Sequence, residues 1–312
     1  MQMRTRIALA LLLALAAGAL AWQLLRESEP LYKRKPLFQW IAQGYFQADS
    51  GVTIERTDEA VNAIGTNAIP YYLSLIETKP DSPLKIWLLK TLSKRQWPWR
   101  FLYEHSANLH HDIGCAGLRI LGPQAKAAVP RLRELLASQD DSRMTTLGVT
   151  LASMGLEGLS PLTNELASSD SKRRATVAHI LRIYATSNGS VSESVVTEEQ
   201  TRTDAILVPL LISRLDDDDL HVRFNALDSL ALFRRQAHVI VPALAAQLHN
   251  GTNDHWLRLS ALEVLNHWGP KADRATPVLL ECLLDEDLEI RSRATNALKG
   301  VNPDAAAKAG VQ

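Results

Sequence analysis

The stretch Asp219-Leu220-His221-Val222-Arg223-Phe224-Asn225-Ala226-Leu227-Asp228-Ser229-Leu230 decides how this chain folds. Val222, Ala226 and Leu230, with Phe233 beyond them, follow the three- and four-residue spacing of one helix face. Asp219 stands where an N-cap carboxylate accepts backbone N–H bonds and answers the positive end of the helix. The same order recurs as Asp170-Arg174-Val177-Leu181, Asp254-Arg258-Ala261-Leu265 and Asp287-Arg291-Ala294-Leu298. Each Asp/Arg pair, Asp219 with Arg223 included, reads as an N-cap plus an i, i+4 ion pair, repeated because the fold repeats.

A shorter helix announced by proline follows each copy, at Pro130, Pro161, Pro209, Pro242 and Pro277. Proline suits a first helical turn, where its missing N–H would be unpaired anyway. The spacings are 31, 48, 33 and 35 residues. A two-helix unit of that length cannot bury its apolar stripe alone and must stack on its copies. The expected fold is therefore all-α, a solenoid over 105–300 with a capping turn at 301–312. The long spacing places a Ser/Thr/Glu-rich loop insertion over 186–204.

The Asp-x3-Arg-x2-Ala-x3-Leu helix followed by a Val-Pro-x-Leu helix resembles HEAT repeats. Lys35-Pro36-Leu37-Phe38-Gln39-Trp40 and the Ala63 to Pro70 segment are similar to parts of membrane-anchored bacterial HEAT-repeat proteins. The resemblance implies protein binding rather than a reaction. The copies ending at Leu121 and Leu151 depart from the pattern by lacking the aligned Asp/Arg pair.

The amino terminus reads as an address. A basic start over 1–6 precedes an apolar run over 7–25, including Ile7, Leu11, Leu15, Leu20 and Leu25. Nineteen helical residues span about 28 Å, close to the ~30 Å hydrocarbon core. A single-pass signal anchor with an exported domain is the expectation. Ala19-Leu20-Ala21 offers the alternative of a cleaved signal, and the basic residues after the run argue for the opposite orientation. A linker over 26–36 and an irregular helical region over 37–104 follow.

Equal counts of 34 basic and 34 acidic residues give no global pull toward nucleic acid. Lys85, Lys90, Lys94, Arg95 and Arg100, interleaved with Trp87, Trp97 and Trp99, form the candidate interaction surface, suited to lipid headgroups or an anionic strand. The plainer reading is a basic helix packing Leu84, Trp87, Leu88 and Leu92 inward. His105, His110, His111 and Asp112 cluster without zinc-ligand spacing, and Asp216 to Asp219 lacks a calcium-loop pattern. Cys115 and Cys282 read as buried, unpaired thiols. Catalytic residues, metal and cofactor are all expected to be none.

The leading expectation is a membrane-held scaffold for an unidentified protein or peptide partner, not an enzyme. The alternatives are a HEAT enzyme like the bilin lyases and a nucleic-acid solenoid like the alkylation-repair proteins. Both rest on fold-level analogy, and neutral charge disfavours the second.

Overall fold

A computed structural model describes residues 29–47, 51–79, 81–92, 106–138, 141–188, 197–249 and 254–311. It divides into two units, Met1–Ala125 and Lys126–Gln312. The apolar run over 7–25 lies outside the described residues. Among the described residues, no helix is long and apolar enough to cross a membrane.

In the first unit, strands β1 (Leu31–Tyr32) and β2 (Lys35–Pro36) pair antiparallel, a short hairpin at the end of the expected linker ahead of the helices. Lys33 and Arg34 both sit at positive φ, 49° and 63°, as a two-residue hairpin turn of this hand requires. Neither is glycine, so each costs about 1 kcal/mol. Bonds around the turn offset that cost: Tyr32 Oη donates to Glu59 at 2.5 Å, and Trp40 Nε1 donates to the Tyr32 carbonyl at 3.1 Å.

Helices α1 (Leu37–Tyr45), α2 (Ile54–Ile64), α3 (Ile69–Ile76), α4 (Pro83–Leu92) and α5 (Ala107–Leu121) follow. Expected to be irregular, 37–104 instead holds a pair built like the later repeats. Gly65 ends α2 at φ 62°, a 3₁₀ turn spans Gly65–Ala68, and Pro70 opens α3. Tyr72 of α3 is fully buried against α5. A Cβ at Gly117 would meet its ring at 2.2 Å, and one at Gly114 its carbonyl oxygen at 2.6 Å. The two glycines let the helix backbones approach.

The second unit comprises α6 (Val129–Ser138), α7 (Asp141–Ala152), α8 (Leu156–Glu165), α9 (Ser171–Asn188), α10 (Glu198–Ile212), α11 (Leu220–Leu230), α12 (Ala237–His249), α13 (His255–Trp268), α14 (Thr276–Cys282), α15 (Leu288–Val301) and α16 (Pro303–Lys308). Helices α7, α9, α11, α13 and α15 pack on one another in order, and α6, α8, α10, α12 and α14 form a second layer. This is a stack of helix pairs, a helical-repeat solenoid. Leu151, Leu181, Leu230, Leu265 and Leu298 are buried at matching places in the first layer, and Leu162, Leu211, Leu244 and Leu279 in the second. Each buried leucine contributes about 1.5–3 kcal/mol.

Three prolines depart from the expected first turn. Pro130 and Pro277 stand second in α6 and α14, but Pro161, Pro209 and Pro242 lie inside α8, α10 and α12. The apolar residues ahead of them, Leu159, Leu207 and Ile240, are buried, and that packing carries the helix back past the proline. The insertion expected over 186–204 is also shorter. Helix α9 runs to Asn188, and a capping box of Thr197 and Gln200 starts α10 at Glu198. At the carboxyl end, the Asn302 side chain caps α16 by accepting from the Ala305 N–H.

Candidate functional site

The repeated aspartates are N-caps. Asp170 accepts from the Lys172 N–H at 2.9 Å, and Asp219 from His221 and Val222 at 2.8 and 3.3 Å. Asp254 accepts from Trp256 at 2.9 Å, and Asp287 from Glu289 and Ile290 at 2.7 and 3.3 Å.

The repeated arginines, however, do not pair with the Asp four residues earlier. Arg174 reaches the next repeat, where its Nε and Nη2 donate to Asp217 at 3.0 and 2.8 Å, and Nη2 also meets Asp218. Its Nη1 turns back to the carbonyls of Ser168 and Ser169 at 3.0 and 3.2 Å. Arg223 repeats the backward bonds, to the carbonyls of Asp217 and Asp218, and its Nη2 lies 4.0 Å from Asp254 of the next repeat. Arg258 donates to Asp285. Arg291 keeps the backward half, donating to the carbonyls of Asp285 and Glu286 at 2.7 and 2.9 Å. The correction has a physical reason: each capping carboxylate already faces its own helix amides, so the arginine is free to brace the joint.

Asp217 and Asp285 complete this arrangement; the sequence marked Asp217 only within the Asp216 to Asp219 run and did not mark Asp285. Each stands two residues before an N-cap Asp, accepting its N–H at 3.0 and 2.9 Å. That Asp-x-Asp spacing was the available signal. Burial pushes the Asp217 carboxyl up, but the Arg174 guanidinium and the Asp219 amide overrule it and hold it below the usual range. The bond from Arg258 likewise holds Asp285 down.

The same edge exposes apolar side chains. Leu220, Trp256 and Leu288 occupy the first or second position of α11, α13 and α15, and all three are exposed, Trp256 at 63% and Leu288 at 71%. His255 links the last two positions, with Nδ1 2.9 Å from the Asp287 carboxylate and its ring edge-on to Trp256. Carboxylates lie between them, Asp218 and Glu289 among the more exposed. The helix starts thus present one apolar side chain per repeat in an acidic setting.

The candidate surface at 85–100 is described only at its start. Lys85 donates to Asp81 at 2.6 Å. Leu84 and Trp87, expected to pack inward, are instead 68% and 59% exposed. The side chains of Lys90, Lys94, Arg95, Trp97, Trp99 and Arg100 lie outside the described residues. His105 does too. The ring of His110 meets Phe38 edge-on at 5.2 Å, while His111 is buried beside Asp112. Among the described residues, no group of three or more His, Cys, Asp or Glu is placed to hold a metal ion. Cys115 and Cys282 are both buried, and burial pushes the Cys282 thiol upward, away from nucleophilic use.

No protein-family model matches the sequence, and no curated protein matches it. Among solved structures, the chain is similar to a crystallised engineered protein at 16% identity and a TM-score of 0.37, covering 88% of this chain and 97% of that one. It is also similar to a designed armadillo repeat protein at 12% identity and a TM-score of 0.34, covering 85% of this chain and all of the other.

Proposed function

We propose that this protein is a HEAT-like scaffold that binds a protein or peptide partner and performs no catalysis. In this reading the segment over 7–25 holds it at a membrane, with the repeat domain on the exported side. One observation carries the binding reading: Leu220, Trp256 and Leu288 are exposed in the first turns of α11, α13 and α15, near the N-cap carboxylates. Apolar side chains at repeat spacing, set among negative charges, suit an extended segment that alternates apolar and basic residues.

Affinity capture from native membranes tests it, comparing the full chain with the pair Trp256→Ala and Leu288→Ser. A reproducible partner held by the parent and lost by the pair supports the scaffold. Failure of the parent to hold any partner, with a catalytic activity found in its place, removes it. Protease accessibility on intact cells decides the side of the membrane, with cleavage from outside expected.

A further inference from the structure

At the other end of these helices, where α11 turns into α12 and α13 into α14, the charge reverses. A cavity of about 670 Å³ opens there, lined by Arg234, Arg235, His238, Lys271, Asp273 and Arg274. It is an open groove at the surface, so it suits the charged end of a ligand rather than enclosing a whole molecule. Two of the arginines brace the neighbouring turns reciprocally. Arg234 Nη2 donates to the Trp268 carbonyl at 3.0 Å, and Arg274 Nη1 donates to the His238 carbonyl at 3.3 Å.

Both bonds go to neutral acceptors, so they fix the guanidinium groups without cancelling their charge. Each leaves further N–H donors for a ligand. Arg235 is paired with Asp204 at 3.1 Å, yet its Nη1 is buried with no hydrogen-bond partner. Asp273 is the carboxylate on the wall, and its Oδ1 already accepts from Asn302 and Thr276 at 2.9 and 3.2 Å.

We infer that this cavity binds the phosphoryl group of an anionic ligand. Arg234 and Arg274 keep their charge on neutral carbonyls, Arg235 answers Asp204 while its Nη1 stays unbonded, and Asp273 is the carboxylate set against them on the wall, so the guanidinium charge outweighs the carboxylates. A phosphate monoester brings nearly two negative charges and several acceptor oxygens, whereas a carboxylate brings one charge and two oxygens. Guanidinium forks held in place match tetrahedral oxyanions better than mobile lysines do. The site lies apart from the apolar row at the helix starts, so it stands whether or not the scaffold reading does.

Isothermal titration of the full chain with inorganic pyrophosphate, and separately with a phosphoserine peptide, provides the test. Saturable one-site binding of either is expected, and the tighter of the two identifies whether the phosphate is free or peptide-borne. Lys271→Glu, at an exposed position, should weaken binding by about tenfold or more. Asp273→Asn should strengthen it, and Arg274→Gln should weaken it while its amide can still brace the His238 carbonyl. Opposite signs for Lys271→Glu and Asp273→Asn are a pattern that a general loss of folding does not produce. Absence of saturable binding by the parent overturns the inference. So does equal affinity of parent, Lys271→Glu and Asp273→Asn proteins that retain the parent's helical circular dichroism.

Discussion

Arg174 and Asp217, 43 residues apart, form a two-point ion pair that ties α9 to the turn ahead of α11. Their side chains are 9% and 3% exposed, so the pair is nearly removed from water. Breaking such a pair from one side leaves an unanswered buried charge, at a cost of about 3–5 kcal/mol. Arg174→Met should therefore lower the urea unfolding free energy by about that amount. Arg174→Met with Asp217→Asn should recover a large part of it. Arg202→Ala, which removes an exposed pair with Glu198, should cost less than about 1 kcal/mol.

The same carboxylates set an acid limit. Arg258 holds Asp285 below its ordinary range, and Asp217 lies below it once Arg174 and the Asp219 amide outweigh burial. A folded-state pKa below the unfolded value, near 3.9 for Asp, stabilises above about pH 4. The contribution is lost as pH falls through the depressed folded values. Urea midpoints measured from pH 7 down to 3 should fall, and the Asp217→Asn protein should show the smaller fall.

Tyr72 carries a buried hydroxyl with no hydrogen-bond partner. Removing such a group leaves no polar atom stranded, so Tyr72→Phe should be neutral or stabilise by about 1 kcal/mol in thermal or urea unfolding. Gly117→Ala, which drives a methyl into the same ring, should destabilise by about 1–3 kcal/mol.

Trp268 ends α13 fully buried and donates its indole N–H to the Ala231 carbonyl of the preceding repeat at 3.1 Å. Trp268→Ala should cost about 3–5 kcal/mol. Trp268→Phe should cost less, retaining ring packing but leaving the carbonyl unpaired. Chemical denaturation of both variants separates the packing contribution from the hydrogen bond.

Much of the repeat was legible because its signals are local. Asp219, Asp254 and Asp287 mark helix starts through bonds that span two or three residues, and Val222, Ala226 and Leu230 mark the buried face within one helix. The partner of Arg174 was not legible, since a spacing of four within a helix looks the same as a contact made 43 residues away. Pro161, Pro209 and Pro242 misled for a related reason: burial of the preceding residues decides where the helix begins, and no propensity records it. The early pair around Gly65 lacks the Asp/Arg marks, and Gly65 followed by Pro70 was the remaining clue. Of the site, the basic wall at Arg234 and Arg274 joins two turns that only stacking brings together.

Asp217 and Asp285 fill the same position in their turns and receive arginines from equivalent helices, Arg174 and Arg258. The fastening recurs at every second boundary, since between them Arg223 meets the N-cap Asp254 at 4.0 Å instead. A molecule assembled on that rule lengthens by duplication of two units at a time, because only a neighbouring pair of units holds both halves of one fastening.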